Sequence, residues 1–159
     1  MSSGIVGAKQ NREDKSNQLE VTLCYSPRNS EEGETEELTL GVTKLRWSVE
    51  SALEYERKNA LLYVKLNVLD GGRTIKACKT KPFAPSISVP LSADKNNSSL
   101  TVHLPSNREH LTCQLSLCTK PSLGKKIVFG RVVLAPGSEH WDKTFQMPAT
   151  TITQWHSIR

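Results

Sequence analysis

The most constraining feature of the sequence is the stretch 61–69, because apolar residues fill every position of one alternating face. Successive side chains of a β-strand point to opposite sides of the sheet. One face of this stretch is wholly aliphatic and consists of Leu62, Val64, Leu66 and Val68. The other face is mixed and consists of Leu61, Tyr63, Lys65, Asn67 and Leu69. We therefore predict a strand with one face on a core and the other facing water or a partner, followed by a hairpin turn at Asp70-Gly71-Gly72.

Further segments alternate in the same way and are separated by turn residues. Together with 61–69 they make eight predicted strands, the others being 19–25, 38–47, 73–80, 98–104, 111–118, 127–134 and 151–158. Residues 26–37 are predicted to form a long exposed turn, and the proline-rich 81–91 an irregular segment. For residues 48–60 a loop is favoured over a helical turn. One short helix is expected at 140–145, with Ser138 as its N-cap. The pattern predicts an all-β, eight-stranded antiparallel sandwich with a short helix before the last strand.

The 159 residues suffice for one domain. Residues 1–17 are polar and unpatterned, so we expect a disordered extension ahead of a folded domain at 18–159. No apolar run is long enough to cross a bilayer, and the first residues lack the apolar core of a signal peptide. The cysteines form no CxxC pair, and free thiols in a reducing compartment are favoured over two disulfides. They are Cys24, Cys78, Cys113 and Cys118.

Charge is distributed unevenly along the chain, whose formal net charge is +5. Residues 1–70 hold 9 Lys and Arg against 12 Asp and Glu, whereas residues 71–159 hold 12 against 4. The excess of eight positive charges in the second part favours anionic partners such as acidic lipid or acidic protein. A nucleic-acid partner is disfavoured because no aromatic residue is interleaved with the basic ones. An ordinary solvated basic surface explains the same count equally well.

Nothing in the sequence indicates catalysis. There is no nucleophile elbow, no pair of carboxylates with a plausible site and no glycine loop of the kind that holds phosphates. The chain is therefore predicted not to be an enzyme and to need no cofactor. The four histidines have no ligand spacing, so no metal site is expected among His103, His110, His140 and His156.

Several short motifs occur along the chain in an order that matches a single pattern. They are Tyr63-Val-Lys-Leu66, Lys-x-x-Lys-Thr at 76–80, Leu104-Pro105, Phe129-Gly130-Arg-Val-Val-Leu134, His140-Trp141 and Gln154-Trp155-His156-Ser-Ile158. In this order the chain resembles the second C2 domain of the synaptotagmin family over residues 18–159. The resemblance implies an eight-stranded antiparallel sandwich whose apical loops dock onto membranes, in many members through Ca²⁺. It also implies structural roles for Tyr63, Trp141, Trp155 and His156. Two roles are open to Trp47, insertion at a membrane interface and capping of the sandwich.

The positions at which the family carries its calcium-binding aspartates hold other residues in this chain. They fall on Leu61, Thr119, Pro121 and Ile127. Residues 118–127 contain no acidic residue and three lysines, and Glu54 or Glu56 leaves at most one carboxylate in the earlier loop. Ca²⁺ prefers six to eight oxygen ligands, several of them carboxylates. We therefore expect no bound metal and no Ca²⁺ binding in the physiological range.

The family's run of consecutive lysines is interrupted here by Ala77 and Cys78. Because each basic residue near an anionic membrane contributes roughly 1 kcal/mol, the interruption weakens lipid binding by one to two orders of magnitude. Seven residues remain as candidates for binding lipid or an acidic partner, unless they are merely solvated surface. They are Arg73, Lys76, Lys79, Lys81, Lys120, Lys125 and Lys126.

The expected function is that of a Ca²⁺-independent C2 domain of a synaptotagmin-like trafficking or exocytosis protein. It would act as an adaptor or tether through trafficking proteins or a second copy of itself, with weak binding to acidic phospholipid. The alternative is a protein-interaction or dimerisation module that does not bind membranes. The expected location is the cytoplasm, peripheral to membranes or vesicles, with any membrane anchor lying upstream of the domain.

Overall fold

The computed structural model describes residues 17–30, 33–58, 60–91, 97–120 and 125–159, without the side chains of 28–30, 34 and 120. The elements in chain order are β1 (Gln18–Ser30), β2 (Gly33–Arg46), α1 (Val49–Arg57), β3 (Leu61–Asp70), β4 (Arg73–Lys79), β5 (Ser88–Pro90), β6 (Ser99–His103), β7 (Leu111–Lys120), β8 (Val128–Leu134), α2 (Glu139–Gln146) and β9 (Thr151–Ser157). The first sheet has the order β5-β2-β1-β9, with β6 also paired to β2, and the second has the order β4-β3-β7-β8. All pairings are antiparallel. The predicted all-β sandwich and its short helix before the last strand are confirmed.

The core lies between the two sheets, and the aliphatic face of β3 is at its centre. All four side chains of that face are fully buried: Leu62, Val64, Leu66 and Val68. From the other sheet Leu19, Leu23, Leu38 and Leu40 are also fully buried and belong to the same apolar cluster. Fully burying one such side chain stabilises the fold by about 1.5–3 kcal/mol. The alternation of apolar residues therefore determines which face of each strand packs into the core.

The predicted long turn at 26–37 is wrong, because the first hairpin continues through most of it. Pro27 lies opposite Glu36 and Ser30 opposite Gly33. A proline lacks the N–H that a central strand needs, but β9 pairs with β1 only over 18–24. Beyond Cys24, β1 has β2 as its single partner strand within the described ranges, and a proline is tolerated on such an edge.

The predicted loop at 48–60 is also wrong, because α1 occupies Val49–Arg57. The Ser48 Oγ accepts a hydrogen bond from the Ser51 N–H at 3.1 Å and caps the first turn. Glu54 and Lys58, four residues apart, form an ion pair at 3.2 Å. The helix buries only Ala52 fully, so its apolar face is too narrow to appear as a helical period in the sequence.

The segment 81–91, predicted to be irregular, contains a short ninth strand. In β5, Val89 lies opposite Leu45 and Pro90 opposite Lys44 at the edge of the first sheet. Only three residues pair, and the proline lies on an edge strand, where a missing N–H is tolerated. Prolines therefore shorten this strand but do not abolish it.

The helix α2 begins one residue before its predicted start, and its N-cap residue makes no side-chain capping hydrogen bond. Ser138 is the N-cap residue, but its hydroxyl donates to the Ala135 carbonyl at 2.7 Å. The Asp142 Oδ1 instead accepts from the Gly137 N–H at 3.0 Å. No helix in the described part of the chain is long and apolar enough to cross a membrane.

All four cysteines carry free thiols. Cys113 is buried among core side chains, and Cys118, five residues later on β7, lies on the opposite face of the sheet. The predicted disorder of 1–17 concerns residues that fall outside the described ranges except for Asn17. The Asn17 carbonyl accepts from the Ile158 N–H at 2.9 Å, and its side-chain oxygen accepts from the Ser48 N–H at 3.0 Å.

Candidate binding surface

On the outer face of the second sheet, three cations and one serine lie in a line across the four strands. Lys79 lies opposite Lys65, Lys65 opposite Ser116, and Ser116 opposite Arg131. Directly opposed residues in an antiparallel pair project from the same face. With neighbouring strands about 4.8 Å apart, the line spans roughly 14 Å. We call Lys79, Lys65 and Arg131 the basic row.

Among the described residues, no acidic side chain neutralises the basic row from the adjacent lines of the same face. On one side the register places Tyr63 opposite Cys118, and Cys118 opposite Val128. On the other side it places Ala77, Asn67, Gln114 and Val133. Like charges directly opposite each other, such as Lys79 and Lys65, destabilise a sheet. An anion lying across the row relieves that repulsion.

Tyr63 places an aromatic ring beside the row, on the same face of the sheet. The Lys79 ammonium lies 5.5 Å from the centre of the Tyr63 ring, within the range of a cation–π contact. Burial, and then the adjacent Cys118 thiol, raises the pKa of the Tyr63 hydroxyl, so this ring stays neutral. The contact holds the Lys79 ammonium over the Tyr63 ring on this face of the sheet.

The predicted basic strand is split between two surfaces. Lys79 belongs to the row, whereas Lys76 lies on the opposite face of β4, paired with Val68. The Lys76 ammonium donates to the Thr101 carbonyl of β6 at 3.0 Å. Lys76 therefore joins the edges of the two sheets, together with Cys78, whose thiol donates to the Asn97 carbonyl at 3.5 Å. The two remaining cations lie elsewhere: Arg73 is at the hairpin end opposite Asp70, and Lys81 is exposed beyond the end of β4.

The three other predicted lysines lie near the connection between β7 and β8. Lys120 ends β7 opposite Leu61, and its side chain is outside the described residues, as are residues 121–124. Lys125 and Lys126 are exposed just before β8. These lysines are thus separate from the basic row along the strand direction.

Two members of the basic row, Lys65 and Arg131, were not among the predicted site residues. Lys65 had a usable signal, because alternation places it on the mixed face of β3. Arg131 had none, since its place depends on how β7 pairs with β8. That pairing shifts register between Leu117 and Cys118, which no local pattern reveals.

The positions corresponding to the family's calcium ligands offer little to a hard cation. Leu61 and Ile127 present side chains that are 44% and 57% exposed. Thr119 is buried, and its hydroxyl oxygen accepts from the Ile127 N–H at 3.0 Å. Pro121 lies outside the described residues. Within the described ranges no three His, Cys, Asp or Glu side chains are grouped as a metal site requires.

An aromatic cluster fills the end of the sandwich beneath these loops. Trp47 is 3% exposed and lies 5.4 Å from Tyr55 and 6.3 Å from Phe129, measured between ring centres. Tyr55 and Phe129 are 4.4 Å apart. Trp47 therefore caps the core and is not available for insertion into a membrane. Its indole Nε1 is buried without a hydrogen-bond partner among the described atoms.

The structure brings together two histidines that are distant in sequence. The His140 Nδ1 and the His156 Nε2 are 2.7 Å apart, and the His140 Nε2 is 2.7 Å from the Ile152 carbonyl oxygen. His140 donates to that carbonyl, so its other nitrogen accepts from His156. Burial lowers the pKa of both rings, with the neighbouring His140 also lowering that of His156, which falls to about 4.

The tryptophans near this pair differ in exposure. Trp141 is buried, and its ring centre lies 5.2 Å from that of Phe145. Trp155 is partly exposed, with the Arg46 guanidinium 4.5 Å from its ring centre. These contacts are those of side chains that pack within the domain, which fits a structural role.

Comparison with solved structures shows the fold. The chain is similar to C2 domain A of RIM from Drosophila, with a TM-score of 0.59 and 13% identity over 91% of this chain and 98% of that one. It is similar to the third C2 domain of KIAA1228 protein, with a TM-score of 0.58 and 19% identity over 90% and 87%. C2 domain A of RIM2 gives a TM-score of 0.58 and 11% identity over 90% and 97%. No protein-family model and no curated protein matches the sequence. The fold is therefore that of a C2 β-sandwich.

Proposed function

We propose that this chain is a Ca²⁺-independent C2 domain that binds anionic surfaces, and that it serves membrane trafficking or exocytosis in a synaptotagmin-like protein. The observation that supports this function is the basic row, in which three cations cross one sheet face with no adjacent carboxylate among the described residues. In the cell it acts as an adaptor or tether, in the cytoplasm and peripheral to membranes or vesicles. It is a binding module and not an enzyme.

Acidic phospholipid is the anionic surface that suits the row best. A basic residue near a leaflet of acidic lipid contributes roughly 1 kcal/mol, so three contribute about 3 kcal/mol at low salt. That energy corresponds to roughly a hundredfold change in membrane partition and to weak binding overall. Lys125 and Lys126, which are exposed ahead of β8, add to the attraction if the same membrane reaches them.

Calcium independence is supported by the chemistry of the loop positions. Leu61 and Ile127 are alkyl side chains, and the only oxygen of the Thr119 side chain is already engaged with a backbone N–H. Glu54 is paired with Lys58. Removing the water shell of a divalent cation requires several converging carboxylates, which these residues do not supply.

The alternative function is a protein-interaction or dimerisation module without membrane binding. It is favoured by Val133, which is 58% exposed on the same sheet face as the row. A trafficking protein with an acidic and partly apolar surface, or a second copy of this chain, fits that combination. Light scattering that detects a dimer, together with no binding to vesicles, would select this alternative.

Co-sedimentation with vesicles tests the proposal. The variant Lys65→Gln/Lys79→Gln/Arg131→Gln should bind vesicles of phosphatidylcholine and phosphatidylserine roughly a hundredfold less well. The control Lys44→Gln/Arg57→Gln/Lys143→Gln removes as many charges from exposed positions elsewhere and should bind within a few-fold of the natural chain. Binding that ignores lipid charge and salt, or an equal loss in both variants, contradicts the proposal.

A further inference from the structure

A cavity of about 670 Å³ lies apart from the basic row, between α2 and the connection from β6 to β7. Trp141 and Phe145, four residues apart on α2, form its aromatic wall. Arg108 and Glu109 line it from the connection. The size lies within the range of clefts that hold small ligands.

Among the described residues, the one cation that lines this cavity is already neutralised. Arg108 forms an ion pair with Glu36, and Glu36 also accepts the Tyr25 hydroxyl at 2.7 Å. The Arg108 guanidinium lies 5.2 Å from the ring centres of both Tyr25 and Phe145. It is therefore held as part of the wall and contributes little net charge to the cavity.

Two carboxylates in the lining have no such cation within the described part of the chain. Asp142 is exposed, and its Oδ1 accepts the Gly137 N–H at 3.0 Å. Glu109 is exposed, and its contact is made by the backbone N–H, which donates to the Asn107 side chain. The nearby Lys143 does not line the cavity. The cavity is therefore aromatic on one side and negatively charged at its mouth.

We propose that this cavity binds an arginine or lysine side chain from a partner protein. The aliphatic stem of such a residue packs against Phe145 and the small exposed part of Trp141, and its charged head reaches Asp142 and Glu109. An anionic ligand would meet no unpaired cation among the described lining residues. The site is independent of the basic row and of lipid binding.

A peptide titration tests the site. The probe is acetyl-Gly-Gly-Arg-Gly-Gly-amide, observed through the indole N–H signal of Trp141 by nuclear magnetic resonance. The same peptide with citrulline, which keeps the shape of arginine without its charge, should bind at least roughly fivefold less tightly. The variant Glu109→Gln/Asp142→Asn should bind the arginine peptide roughly tenfold less tightly, since each exposed ion pair contributes up to about fivefold.

The control is Glu139→Gln, which removes a charge from the same helix without lining the cavity. It should bind the arginine peptide within about twofold of the natural chain. Asparagine and glutamine keep a side-chain oxygen acceptor at both substituted positions. An unchanged unfolding temperature of the double variant would show that its fold is intact. The proposal is overturned if the arginine peptide leaves the Trp141 signal unmoved at about 20 millimolar, a deliberately high ceiling. Equal binding of the citrulline peptide, tighter binding of a glutamate peptide, or full binding by the double variant also overturns it.

Discussion

Gly130 shows how one residue ties the end of the chain to the second sheet. A Cβ at this position would lie 2.7 Å from the Ile158 side chain and 3.0 Å from the Arg159 carbonyl carbon. The close approach lets Arg131 and Arg159 exchange backbone hydrogen bonds of 2.8 and 3.1 Å. A glycine is therefore required by space and not by backbone conformation.

The substitution Gly130→Ala should lower the free energy of unfolding by about 1–3 kcal/mol, because the backbone of Arg159 has to move away. Urea denaturation measures the change. Val133→Ala on the same strand is the control, and its exposed side chain predicts a change within about 0.5 kcal/mol. An alanine at 130 that leaves stability unaltered would show that the C-terminal segment does not pack as described.

The histidine pair gives the fold a pH dependence. The pKa of His156 falls to about 4 in the folded chain, and that of His140 is also lowered, because burial disfavours the charged rings. In the unfolded chain both pKa values return to about 6.5. As pH falls from about 6.5 toward 4 the unfolded state takes up protons that the folded state does not, so stability should decrease across that window.

Thermal unfolding between about pH 7 and pH 4 tests this dependence. The variant His156→Gln should show a shallower fall in melting temperature, since it removes the ring whose pKa is lowered to about 4. His103→Gln, at an exposed position on β6, is the control and should keep the slope of the natural chain. A slope that His156→Gln does not reduce would contradict the assignment.

The element scale shows where sequence patterns are sufficient and where they fail. Alternation predicted β3, β7 and most of the first sheet, because a buried face requires apolar residues at every second position. It failed for α1, since a helix that fully buries one residue leaves little periodic signal. Its start is specified instead by Ser48, whose hydroxyl accepts the Ser51 N–H.

The substitution Ser48→Ala should destabilise the protein by about 0.5–2 kcal/mol, because it leaves an N–H at the start of α1 without a partner. Chemical denaturation gives the value, and Ser48→Asn, which restores a capping oxygen, should recover most of it. Equal destabilisation by both substitutions would indicate that the hydrogen bond of the Ser48 hydroxyl to the Ser51 hydroxyl, and not the cap, is what matters.

For the whole molecule, the candidate site was only partly predictable. The excess of cations after residue 70 indicated an anionic partner, and Lys79 was named among its residues. The row itself joins residues from β3, β4 and β8, so it depends on long-range register that local sequence does not encode. The contact between His140 and His156 was unpredictable for the same reason, since it depends on how α2 docks against β9.

The charges carried by the second sheet and its loops lead to the last prediction, which concerns calcium. Millimolar Ca²⁺ should neither raise the melting temperature nor release measurable heat in a titration, because a ligand stabilises only a fold that binds it. Vesicle binding should decrease slightly with Ca²⁺, as it should with Mg²⁺ at equal concentration, since both screen the cations of the basic row and the lipid. A melting temperature that rises with Ca²⁺ but not with Mg²⁺ would show that a selective calcium site exists near Leu61, Thr119 and Ile127. That result would overturn the proposal of calcium independence.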